Sequence, residues 1–106
     1  MYMDLFTNSD ESRRAAELAR LTGKPWELEH TGGGCTALVL QMGANAGDHY
    51  FMVTVQEDAS VPMAGEPHHL GEYVNDVDVN HWYFANRRSM VAFLRSWKKF
   101  QAEEGI

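Results

Sequence analysis

Apolar residues recur along this chain with two different periods, and the change from one to the other marks out its elements. Ala15, Leu18, Ala19 and Leu21 form a narrow stripe at helical spacing, with Ser9 as cap and Asp10 and Glu11 in the first turn. Gly23 and Pro25 end that segment, which predicts a helix over 9–22. The period then drops to two. In Trp26-Glu27-Leu28-Glu29-His30, Trp26 and Leu28 face inward and both glutamates face water. Gly32-Gly33-Gly34 permits a tight reversal, and Cys35 to Met42 reads as a central strand, apolar on both faces. A second reversal over 43–48 leads into a third strand, His49 to Val55, rich in aromatic and β-branched residues.

Residues 57–71 lack an apolar period and contain two prolines and two glycines, which predicts a long loop. Tyr73, Val77 and Val79 alternate with Asp76, Asp78 and Asn80, so a fourth strand with an acidic outer row follows, running on through His81-Trp82-Tyr83-Phe84. Met90, Phe93, Leu94, Trp97 and Phe100 return to helical spacing after a cap-forming Asn86, giving a helix over 86–101 with Lys98 and Lys99 at its C-terminal end. The sum is an α+β fold: an antiparallel meander of three to five strands with two helices packed on one face. A chain of 106 residues fits one such domain, 1–106, and the 44% of hydrophobic residues suffices for a core.

Charge changes the picture. No lysine or arginine lies between Lys24 and Arg87, whereas that interval holds Glu27, Glu29, Asp48, Glu57, Asp58, Glu66, Glu72, Asp76 and Asp78 together with every histidine. If folding gathers these acids into one continuous patch, the surface is divided between an acidic sheet and basic helices. The formal charge of −6 disfavours direct nucleic-acid binding and attachment to an anionic bilayer, both of which need basic patches, and favours a basic partner. No apolar run is long enough to span a membrane, and the N-terminus lacks the charged and apolar regions of a signal peptide, so the expected location is the cytoplasm. The single Cys35 reads as a small packed hydrophobe.

Motifs for chemistry are weak. Asp76-Val77-Asp78-Val79-Asn80 begins like a calcium loop, but His81 stands where the turn glycine belongs and Arg87 where the distal acid belongs. His68, His69 and His81 near Asp76 and Asp78 suit a divalent metal by donor type, yet their spacing matches no known metal motif. The glycine triplet is followed by a strand, which excludes a phosphate-binding loop, and no nucleophile motif occurs. The reading is therefore a non-enzyme with no catalytic residue, no metal ligand and no cofactor.

The order α-β-β-β-α resembles that of double-stranded RNA-binding domains, and Arg87 and Arg88 imitate their basic second helix, but the acids of the sheet would repel a duplex. Thr31-Gly32-Gly33-Gly34-Cys35-Thr36-Ala37-Leu38 and Thr54-Val55-Gln56-Glu57-Asp58-Ala59-Ser60-Val61-Pro62 are similar to segments in small uncharacterised proteins encoded by bacteriophages of actinobacteria. That resemblance implies expression inside an infected cell and a host-directed role. The expected function is accordingly that of an interaction protein whose acidic sheet edge and loops dock on a basic host protein, with a nucleic-acid mimic as one form of it. Its expected binding residues are Glu57, Asp58, Glu66, Glu72, Asp76 and Asp78, with Trp82 and Tyr83 as aromatic anchors. The alternative is a homo-oligomeric structural or assembly protein, joined through Trp82-Tyr83-Phe84 and the apolar face of the helix at 86–101.

Overall fold

The computed structural model describes residues 9–32, 34–42, 49–55, 60–97 and 100. Helix α1 (Ser9–Thr22) is followed by strands β1 (Glu27–Gly32), β2 (Cys35–Gln41), β3 (Tyr50–Val55), β4 (His68–Val74) and β5 (Val77–Phe84), and then by helix α2 (Arg87–Ser96). The strands form one antiparallel sheet in the order β1-β2-β3-β4-β5, so each pairs with its neighbour in sequence. This is the α+β meander expected, with both helices packed against the sheet.

α1 spans the predicted residues. Ala15 and Leu18 are buried, and Gly23, at φ 74, closes the C-terminus by donating its N–H to the Ala19 carbonyl. A short polar chain secures this corner: Thr22 Oγ1 donates to the Leu18 carbonyl and accepts from the Trp26 indole N–H. Lys24, almost fully buried, donates to the Phe100 carbonyl at 2.8 Å and lies over the Phe100 ring, tying this corner to the end of the chain.

The inward sheet face presents Leu28, Leu38, Leu40, Phe51, Val53 and Leu70 in register across β1 to β4, and Trp82 and Phe84 continue it on β5. Met90, Val91 and Leu94 of α2 pack onto it. Truncating such a residue to alanine typically costs about 2–5 kcal/mol.

Two boundaries differ from the sequence reading. The segment 57–71 is not one long loop: its last residues form β4, and Asn75-Asp76 form a two-residue turn, at φ 53 and 64, between Val74 and Val77. Positive φ at both central residues is the hairpin turn whose twist matches the strands, here made without glycine. α2 begins where Asn86 caps it, with Oδ1 accepting from the Ser89 N–H, but it ends at Ser96 and not at 101. Trp97 is extended, with its ring edge-on to Phe51 and to Trp82, so the helix breaks there, and Phe100 is again helical. Lys98 and Lys99 lie outside the described residues.

Candidate functional site

The two faces of the sheet treat the acids of β4 and β5 in opposite ways. Glu72 lies on the inward face, 1% exposed, and is not part of any surface. Its Oε2 lies 2.8 Å from His49 Nε2, and its Oε1 accepts from Asn80 Nδ2 at 2.8 Å. This corrects its place among the docking residues. Glu72 was counted among the exposed acids because a carboxylate is rarely buried, but His49, just before β3, and Asn80 on β5 satisfy both of its oxygens.

The outward face carries a continuous run of rings. Tyr50 stacks on Tyr73 at 5.1 Å, Tyr73 meets His81 edge-on at 6.3 Å, His81 stacks on His69 at 5.0 Å, and His69 stacks on Tyr83 at 4.9 Å. Gly71 makes the run possible, since a Cβ there would stand 2.7 Å from the Tyr73 ring. Polar contacts join the same residues. The Tyr50 hydroxyl donates to Asp76, His81 Nε2 lies 2.7 Å from Asp78, and His81 Nδ1 lies 2.8 Å from His69 Nε2. Partial burial, and then the neighbouring His81, pull the His69 pKa below the usual histidine range, which keeps that imidazole neutral near pH 7. Burial and then Asp78 raise the Tyr73 pKa, so its hydroxyl stays protonated.

The described helices pack on the other face, through Ala15, Leu18, Met90, Val91 and Leu94, and no described strand pairs with the far side of β5. Val77, Val79 and Tyr83 of β5 are 59%, 48% and 61% exposed. A sheet edge with unpaired backbone groups and exposed apolar side chains is a template for an added strand.

The remaining expected site residues divide as follows. Asp76 and Asp78 are exposed and border the ring run. Tyr83 belongs to it, whereas Trp82 faces inward against Phe93 and Trp97. Phe84 also packs on Phe93, so two of the three rings assigned to a symmetric assembly are used within the core. Glu66 is half-buried on the loop before β4, where Oε1 accepts from the Met63 N–H. Glu57 and Asp58 lie outside the described residues.

The described acids thus form no single patch. Glu27 and Glu29 are exposed on β1, the opposite edge strand from β5, four strand spacings or roughly 19 Å away. Among the described residues, the hydrogen bonds of Asp76 and Asp78 go to Tyr50 and His81 and not to any arginine or lysine.

The sequence reading missed Tyr50, His69 and His81 as a group. Their signal was the outward phase of three strands, which becomes visible only once Tyr50 pairs with Tyr73 and His69 pairs with Tyr83. Among the described residues, no cluster of three or more His, Cys, Asp or Glu has the arrangement to hold a metal ion. No described helix is long and apolar enough to cross a membrane. Comparisons with protein-family models, with curated proteins and with solved structures found no match.

Proposed function

We propose that this protein is a docking module that binds an extended basic segment of another protein along β5 and the adjoining outward face. The observation that carries this reading is the ring run Tyr50, Tyr73, His81, His69 and Tyr83, bordered by Asp76 and Asp78 on the face of the sheet turned away from the helices. Tyrosine faces attract guanidinium and ammonium groups, and carboxylates beside them add charge-assisted hydrogen bonds. The open backbone of β5 supplies main-chain partners to a strand laid against it. The resemblance of the 31–38 and 54–62 segments to actinobacterial phage proteins supports a partner from the infected host, and a protein that mimics nucleic acid is one form of such a binder. No step of catalysis belongs to this reading.

The test is titration with an arginine- and lysine-rich peptide of β-forming sequence, followed by amide NMR at low and high salt. The expected outcome is binding that perturbs β5 and the outward residues of β3 and β4 and weakens as ionic strength rises. Replacing Asp76 and Asp78 by lysine is expected to slow association without unfolding the domain, because exposed charges act mainly on encounter. Salt-independent binding, or perturbation confined to the helical side, would overturn the reading.

A further inference from the structure

The arginines of the two helices are held differently. On α1, Arg13 pairs with Asp10, Arg14 donates to the Val61 carbonyl, and Arg20 pairs with Glu17. On α2, the guanidinium groups of Arg87, Arg88 and Arg95 make no hydrogen bond or ion pair with any described residue, although the charge of Glu17 on α1 reaches Arg87. The first turn of α2 contains no acid, so Arg87 and Arg88 stand at the positive end of the helix dipole, where cations are disfavoured. All three border one cleft of about 580 Å³, which opens between the end of α1 and the side of α2. Leu21, Val91 and Ala92 contribute an apolar lining. Arg88 and Arg95 are seven residues apart, roughly 10 Å along the axis, with Ala92 between them on the same stripe.

The unfavourable dipole at Arg87 and Arg88 and the guanidinium donors that no described residue takes up leave these cations available to a ligand. A bound anion offsets the dipole and takes up the donors at once. Arginine presents a planar fork of donors to carboxylate, sulfonate or phosphate oxygens, while the apolar lining gives such a ligand somewhere to place a ring or hydrocarbon. The volume falls within the range of roughly 300–1,000 Å³ usual for small-molecule sites.

We propose that the cleft between α1 and α2 binds a small organic anion with an apolar body, its charged group on Arg87, Arg88 and Arg95 and its apolar part against Leu21, Val91 and Ala92. This site lies on the helical side of the sheet and is independent of the outward face.

Three probes separate its two requirements: phenyl phosphate, which carries both, inorganic phosphate, which carries only the charge, and benzyl alcohol, which carries only the ring. Each is titrated into the intact chain while the amide resonances of Leu21, Gly65, Val91 and Ala92 are followed. The proposal expects saturable shifts with phenyl phosphate and an affinity at least about tenfold above either other probe, equivalent to roughly 1.4 kcal/mol. It also expects that affinity to fall at least about tenfold in the double variant Arg88→Glu, Arg95→Glu, with far-UV circular dichroism unchanged. The milder Arg88→Gln, Arg95→Gln pair serves if charge reversal perturbs folding. Equal binding of inorganic phosphate would mean only a diffuse positive surface, and equal binding of benzyl alcohol only an apolar dent. Either result, unchanged affinity in the variants, or no saturable shift would overturn the proposal.

Discussion

Two carboxylate–imidazole contacts lie on opposite faces of the same hairpin. Glu72 and His49 meet at 2.8 Å with their side chains 2% and 12% exposed, and Asp78 and His81 meet at 2.7 Å with theirs 58% and 35% exposed. Chemistry and distance are nearly the same, so the surroundings decide what each contact does. Inside, the carboxylate has given up water and depends on His49 and Asn80 for its hydrogen bonds. Outside, water competes for both groups, and the pair contributes little to stability while its charge stays available to a partner.

Removing each acid in turn separates the two surroundings. Glu72→Ala removes the acceptor shared by the exposed Asn80 amide and the largely buried His49 ring, and unfolding by denaturant should show a loss of about 1–3 kcal/mol. Asp78→Ala should cost less than about 1 kcal/mol. Equal losses would show that burial is not the deciding variable.

Gly71→Ala acts between the faces. The added methyl meets the Tyr73 ring and not backbone, so the ring can swing aside and the cost should be about 1 kcal/mol. The larger consequence falls on the outward face, where Tyr73 would leave its stack on Tyr50. Binding of a basic peptide should weaken while the inward contacts of Glu72 persist, a division that the ring-current shifts of Tyr50 and the signals of Asn80 would report.

The difference between these faces also measures how much was legible in the sequence. α1, the first three strands and the Asn86 cap follow from period, glycine and capping chemistry, all of which act over a few residues. β4 was hidden because its inward positions include His68 and Glu72, polar residues whose acceptability rests on tertiary partners. Glu72 finds those partners 23 residues back and 8 residues ahead, distances at which no local rule operates. The Asn75-Asp76 turn lacks the glycine that would have announced it, so two strands read as one. Asp76 and Asp78 were recognisable as exposed from alternation and Tyr83 as a candidate anchor, but their assembly with Tyr50, His69 and His81 depends on strand register, which becomes clear only after the hairpins are paired.

Acid sharpens the contrast from another side. His68 is buried on the inward face with its Nδ1 2.8 Å from the Glu66 carbonyl oxygen, and burial, opposed by that hydrogen bond and assisted by Arg87, holds its pKa below the ordinary value. The unfolded chain therefore takes up a proton at a pH where folded His68 does not, so stability is full above about 6.5 and falls as pH drops from there toward the folded pKa. His69 shifts in the same direction and adds to the slope. Thermal melts between pH 7 and pH 5 should show the decline, and His68→Gln should flatten it; an unchanged slope would remove His68 as its source.

The smallest effect tests whether stability and docking are separable on the outward face. Asp76 occupies the second central position of the β4–β5 turn at φ 64, a conformation that glycine adopts more readily than any residue with a side chain. Asp76→Gly creates the Asn-Gly pair that best fits this turn, and relief of backbone strain should outweigh the exposed hydrogen bond lost from Tyr50, for a net gain below about 1 kcal/mol. The same substitution removes one of the carboxylates that border the ring run. A variant that melts slightly higher yet binds a basic peptide more weakly, with the deficit shrinking as salt is added, would show that Asp76 serves recognition at the expense of the turn. If instead binding is unchanged, the charge at this end of the hairpin is incidental, and Asp78 with the tyrosine faces must account for any affinity alone.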